Sequence, residues 1–237
     1  MTGTPQDLAR DYLAIALDVD DLVTALRLAK RVQPYFRVAK VGLELFSAAG
    51  PDAIGAVSQL GYDVFLDVKL HDIPNTVGRA AKVLGALGAS YLTLHAFGGV
   101  AMLRAGVEGL NEGAEGAGLA PPTALAVTVL TSDGDAPPHI LPKRVAAAVE
   151  SGCRGIVCAV ADAAEARHYG PRLTIVTPGI RPAGVASHDQ ARPATPAAAR
   201  RAGADLLVIG RAVTEAADPV GAAEALVREL QELPTSS

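Results

Sequence analysis

Asp67 and Lys69 close an apolar run, Val64-Phe65-Leu66, and Asp72 follows three residues after Lys69, so three charges fall within six residues. Side chains two apart on a strand share a face, so Asp67 and Lys69 point together toward whatever that face encloses. A fixed carboxylate and ammonium in a cavity can stabilise charge that develops on a bound molecule, and the ammonium can also deliver a proton. Lys40, at the end of another apolar run, offers a second ammonium. Converging charges are costly to desolvate unless paired, so Lys40, Asp67 and Lys69 are expected to form one network, with Asp72 beyond the strand end and free to reach elsewhere. Any one of these charges alone fits a solvated rim residue or a structural ion pair better than a catalyst. The cluster as a whole points to function.

Other apolar runs end in polar residues too: Asp18, His95, Thr131, Thr177 and the pair Gly210-Arg211. A glycine amide beside a guanidinium suits an anion, and Thr177-Pro178-Gly179-Ile180-Arg181 with Gln190 could close over the same anion from the other side. His95 reads as a hydrogen-bonded rim residue and His71 as one that orients its loop. Five histidines without HxH or HExxH spacing give no transition-metal signature. Cys153 and Cys158 lack a CxxC pattern and read as reduced structural thiols.

These residues must be positioned by the elements between them. Short Val, Ile and Leu runs alternate with longer alanine-rich segments of helical period, the pattern of a parallel sheet wrapped by helices. Eight strands are expected, at 12–18, 37–41, 63–69, 90–95, 123–131, 155–160, 173–177 and 206–210. The expected helices are 22–32, 51–60, 77–87, 100–110, 141–151, 162–169, 196–202 and 220–230, with Gly61, Gly88, Gly152, Gly170 and Gly203 placed to cap their ends in the left-handed region. Eight such units in 237 residues match a (β/α)8 TIM barrel, typically ~250 residues, in a single domain over residues 1–237. A doubly wound open sheet is the alternative. The stretches 111–119 and 133–142 read as insertion loops, and 179–193 is long for a loop after a strand. In a barrel these strand ends are the carboxyl ends, where barrel chemistry sits.

Half the residues are hydrophobic, enough for a sizeable core, and the net charge of −4 comes without a basic run that would mark a nucleic-acid binder. The first ten residues are polar, and no apolar stretch approaches membrane-spanning length. The expectation is a cytoplasmic protein that engages neither nucleic acid nor membrane.

The motif Asp67-x-Lys69-x-x-Asp72-Ile73-Pro74-Asn75-Thr76 is similar to the signature of the orotidine 5'-phosphate decarboxylase family. The resemblance runs from Ala16-Leu17-Asp18 through Lys40-Val41-Gly42 to Val176-Thr177-Pro178-Gly179-Ile180-Arg181 and Ile209-Gly210-Arg211. It implies a homodimer with shared active sites that takes a small-molecule nucleotide and uses neither cofactor nor metal. Asp18 would hold a ribose hydroxyl, while Lys40 would contact the ribose and pair with the acidic member of the network. Asp67 would sit beside the substrate carboxylate, and Lys69 would donate the proton to C6. Asp72 and Thr76 would enter the neighbouring subunit's site. Thr131 would face the pyrimidine ring, and Gln190, Arg211 and the Gly210 amide would grip the phosphate. Ile73, Pro178 and Arg181 would complete the substrate contacts.

Loss of CO2 from a pyrimidine carbon leaves an electron pair with no ring orbital to delocalise it. Without an electron-sink cofactor, the barrier must fall electrostatically, by ~20 kcal/mol, and Lys69 is placed to supply both field and proton. Two rivals remain. One is a Mg2+-dependent hexulose-phosphate synthase or keto-gulonate-phosphate decarboxylase, which shares Asp-x-Lys-x-x-Asp but not the continuation His71 to Thr76. The other is a silent UMP-binding barrel, which would have no need of the charge cluster.

Overall fold

The alternation of β-branched runs and alanine-rich segments resolves into a closed barrel of eight parallel strands in sequence order, with β8 hydrogen-bonded to β1. The structure is a computed structural model that describes residues 9–130, 136–181 and 194–232. In chain order the elements are β1 (Leu13–Ala16), α1 (Leu22–Val32), β2 (Val38–Gly42), α2 (Leu43–Ala49), α3 (Asp52–Gln59), β3 (Asp63–Leu70) and α4 (Pro74–Ala86). There follow β4 (Tyr91–His95), α5 (Gly99–Gly116), β5 (Thr123–Val127), α6 (Ile140–Ser151), β6 (Gly155–Val157) and α7 (Ala163–Tyr169). The last quarter is β7 (Thr174–Thr177), α8 (Pro196–Arg201), β8 (Leu206–Ile209), α9 (Arg211–Thr214) and α10 (Pro219–Gln231). Closure removes the open-sheet alternative. Among the described residues no helix is long and apolar enough to cross a membrane.

Strand alternation divides the core in two. Ala14, Ala16, Val38, Phe65, Leu125, Val176, Leu206 and Val208 form a cluster inside the barrel. Their neighbours Leu13, Ile15, Ala39, Val41, Leu66, Leu207 and Ile209 pack outward against the helices. Lys40 lies two residues beyond Val38, Asp67 two beyond Phe65 and Thr93 two beyond Tyr91, so the period of two carries each one step up the barrel interior toward the carboxyl ends.

The helices follow local chemistry. Asp21 caps α1 by accepting from the Thr24 N–H at 2.7 Å, and Lys30 and Arg31 sit in its last turn, where the helix dipole favours cations. Helix α4 starts at Pro74 rather than Val77, since proline fits the first helical position without losing a needed donor. Helix α2 falls between β2 and α3, where the sequence reading placed no element. Of the five glycines expected to cap helices in the left-handed region, Gly61, Gly88, Gly152 and Gly203 have positive φ, whereas Gly170 is at −132°.

The stretch 111–119 is a correction. Residues up to Gly116 continue α5, because Gly106, Gly109, Gly113 and Ala114 extend a small-residue face that presses on α4. Glycine here serves close approach rather than a turn. A Cβ on Gly109 would stand 2.1 Å from the Gly78 carbonyl oxygen, and one on Gly113 would stand 1.9 Å from that of Lys82. Backbone cannot yield as a side-chain tip can, so overpacking outweighs the helix propensity that alanine gains. Gly109→Ala is expected to destabilise by about 1–3 kcal/mol. Gly116→Ala, on the same helix with nothing within 4 Å of its Cβ, is expected to be neutral or mildly stabilising. Denaturant unfolding of both variants is the check, and equal midpoints would refute the interlock.

Strand β5 ends at Val127 and not at residue 131, and β6 ends at Val157 and not at residue 160. Past the last paired residue of β5, the Thr128 backbone N–H and its Oγ1 both donate to the Val157 carbonyl, at 3.0 and 2.9 Å.

Candidate active site

At the carboxyl ends of the strands a cavity of about 410 Å³ opens, within the size range of small-ligand pockets. Its wall from β1 to β3 is charged, with Asp18, Lys40, Asp67 and Lys69, while Val127 and Val157 make the opposite wall apolar and Val208 stands beside β1. Pro178, Gly179 and Gly210 complete the rim.

The charged wall is one alternating chain. Lys40 Nζ donates to Asp18 Oδ1 at 2.7 Å and stands 3.7 Å from Asp67 Oδ2. Lys69 Nζ donates to the other carboxylate oxygen, Asp67 Oδ1, at 2.8 Å. Lys40 is only 8% exposed and is flanked by two carboxylates, which offset the cost of burying it. Lys69 is the more open ammonium, its side chain a third exposed toward the cavity. Gly42 makes the first link possible, because a Cβ there would lie 2.4 Å from Asp18 Oδ1 and 2.9 Å from Lys40 Nζ.

Asp67 and Lys69 meet as expected, but simple alternation is not the reason. The β3–β4 register pairs Leu66 with Leu92 and then Leu70 with Leu94, so Asp67, Val68 and Lys69 together oppose the single residue Thr93. Within this bulge Lys69 takes φ +46°, the one non-glycine residue with positive φ among those described. Its N–H, displaced from the ladder, donates to Thr93 Oγ1 at 2.9 Å, and that hydroxyl donates to Asp67 Oδ1 at 3.1 Å. A lysine in this conformation is uncommon and persists where its surroundings hold it.

The remaining expected site residues divide. Arg211 joins Asp18 and Gly210 in an adjoining recess between β1 and β8. Asp72, Ile73 and Thr76 lie outside the cavity on an exposed segment, where Asp72 Oδ1 accepts from the Ile73 N–H at 2.7 Å. Ile73 is 65% exposed. Arg181 is nearly buried beside the bridge from Ile180 to Ala194 and does not line the cavity. Thr131 and Gln190 lie outside the described residues.

His95 and His71 face each other with ring centroids 5.6 Å apart, and Phe97 lies edge-on to His71. Burial, then Arg144, His71 and Lys69, lower the pKa of His95. The neutral ring fits the bond it makes, since its Nδ1 accepts from the Phe97 N–H at 3.3 Å. Cys158 borders the cavity, but burial pushes its thiol up to about 12, and Cys153 up to about 11, so neither is a ready nucleophile. Among the described residues no group of His, Cys, Asp and Glu is arranged to hold a metal ion.

Two contributors escaped the sequence reading. Thr93 shares a strand face with Tyr91 and His95, and the period of two was the signal that could have found it. Gly42, two residues past Lys40, was quoted only as part of a motif; glycine at a strand end is a mark of close approach.

Residues 11–226 match the Orotidine 5'-phosphate decarboxylase / HUMPS family. The chain is 48% identical over 232 residues to the orotidine 5'-phosphate decarboxylase of Thermobifida fusca, covering 92% of this chain and 95% of that protein. To the enzyme of the same name from Paramagnetospirillum magneticum it is 46% identical over 227 residues, covering 91% and 97%. Among solved structures, orotidine 5'-phosphate decarboxylase from Lactobacillus acidophilus superposes with a TM-score of 0.77 at 35% identity, covering 93% of this chain and 99% of that one.

Proposed function

From membership of the orotidine 5'-phosphate decarboxylase / HUMPS family, to which this chain belongs, we infer that it is a carboxy-lyase that converts orotidine 5'-phosphate to UMP in pyrimidine biosynthesis. The observation that carries the chemistry is the chain of alternating charges from Asp18 through Lys40 and Asp67 to Lys69 along one wall of the cavity.

The pyrimidine lies against the apolar wall with its carboxylate toward Asp67. The bond from C6 to the carboxylate breaks, CO2 leaves, and the electron pair stays on C6. Lys69 Nζ, already aimed by Asp67, stabilises that pair through its charge and then transfers a proton to C6. Lys69 is left neutral and regains a proton from solvent through its exposed side. Asp67 raises the energy of the bound carboxylate, and its second task is to fix both ammonium groups before substrate arrives, which removes the cost of reorganising them during the reaction. Asp18 and Lys40 hold the ribose. Gly210 and Arg211, with Gln190, take the phosphate, and binding energy from that remote group helps to order the site.

The exposed segment from Asp72 to Thr76 suits a site shared between two subunits. It begins three residues past Lys69, yet none of the described residues buries it. In a twofold dimer Asp72, Ile73 and Thr76 complete the partner's cavity, and the assembly works in the cytoplasm.

Incubation of the purified protein with orotidine 5'-phosphate, following loss of the orotate absorbance, tests the reading. Turnover is expected to continue undiminished in EDTA, because both carboxylates of the charged wall already face lysine ammoniums rather than a cation site. Activity lost to EDTA and restored by Mg2+ would favour the magnesium-dependent alternative. Tight UMP binding without turnover would favour the silent barrel.

A further inference from the structure

We propose that Thr93 is a positioning residue for the decarboxylation, holding Lys69 and Asp67 in their productive arrangement through a single buried hydroxyl. Thr93 is fully buried on β4 and does not line the cavity, so it acts through other groups. Its Oγ1 makes two bonds of opposite sense. It accepts the Lys69 N–H at 2.9 Å and donates to Asp67 Oδ1 at 3.1 Å.

The register explains why this position matters. Three residues of β3 oppose Thr93 alone, so the ladder cannot serve the Lys69 N–H, and the hydroxyl stands in as its acceptor. That bond pins the backbone of a lysine at φ +46°. The second bond draws Asp67 Oδ1, the same oxygen that receives Lys69 Nζ at 2.8 Å. The hydroxyl, carboxylate and lysine thus close a small ring, anchored at the main chain of Lys69 and at the tip of its side chain. A buried hydroxyl satisfied on both sides fixes geometry well, and an error near 1 Å at a reacting group is costly.

The proposal rests on the roles given to Lys69 and Asp67 above, and the test separates the two. Thr93→Val keeps the volume and removes the hydroxyl, whereas Thr93→Ser keeps the hydroxyl and removes a methyl. For Thr93→Val we expect kcat to fall about 10- to 100-fold with UMP affinity within about threefold of wild type. Thr93→Ser is expected to stay within about fivefold of wild type in kcat. A purely structural role predicts the reverse order, because packing favours valine over serine at a buried threonine. Valine equal to wild type, valine above serine, or a loss in UMP affinity as large as that in kcat would each overturn the proposal. If the valine variant does not fold, Thr93→Ala against Thr93→Ser isolates the hydroxyl, and equal kcat in that pair would overturn it as well. Lys69→Ala is assayed alongside. With Lys69→Ala inactive and Thr93→Val unimpaired, the proposal alone falls; with Lys69→Ala active, the proton-donor reading fails and takes the proposal with it.

Discussion

Lys69→Ala is expected to lower kcat by more than about a thousandfold while leaving UMP affinity within about fivefold of wild type. The asymmetry follows from the role proposed for the ammonium. In that mechanism UMP carries neither the carboxylate set beside Asp67 nor the electron pair set beside Lys69, so product binding loses little when the lysine goes. The transition state loses both the opposing charge and the proton source. Removing one preorganised donor from such a site costs about a hundred- to a thousandfold, and here the same group is also the acid. The folding risk is small, because Lys69 is partly exposed and Asp67 keeps Lys40 as a neighbour. Single-turnover assays with orotidine 5'-phosphate and equilibrium binding of UMP measure the two sides. Turnover within tenfold of wild type would remove Lys69 from the mechanism.

A mixture of two inactive variants should regain activity. Asp72 lies past the end of the strand that carries Lys69 and is exposed on its own chain, where its Oδ1 accepts from the neighbouring Ile73 amide. If it serves the partner's cavity, Lys69→Ala and Asp72→Asn place their defects in different halves of each site. After exchange of subunits, a mixed dimer has one site with both defects and one wholly native site. Random exchange makes about half the dimers mixed, so roughly a quarter of wild-type activity returns. Native mass spectrometry establishes that exchange has occurred. No recovery after confirmed exchange would mean that each chain builds its site alone.

How much of this was legible in the residues differs between fold and site. The barrel was readable because each strand is a short apolar run between alanine-rich stretches, and because a period of two needs no tertiary information. Helix α5 was expected to end at residue 110 because Gly113 and Gly116 beyond it are breakers by propensity, and only the closeness of α4 makes Gly113 a packing residue. The charged residues stood out by type and spacing, and Asp18, Lys40, Asp67 and Lys69 line one cavity, whereas Asp72 lies outside it. The bulge did not. It arises from how β3 meets β4, and no spacing within β3 announces that three of its residues will oppose one. The period of two places Thr93 on the face of His95, but a threonine in a strand is ordinary until its partner residues are known. Gly42 became meaningful only when Asp18 and Lys40 were seen to converge beside it.

The glycine contact between α4 and α5 has a consequence for dynamics. Asp72 lies just before helix α4 and Thr76 in its first turn, and α5 follows the strand that carries Thr93. With main chain against main chain, neither helix can slide or tilt without breaking the contact, and the two strands that form the bulge are tethered to the same block. Opening of this region therefore requires near-global unfolding, and the amide protons of α4 and α5 should be among the slowest in the protein to exchange with solvent. In the proposed dimer the surface offered to a second subunit would then be set before any encounter, so little ordering entropy would be spent on association.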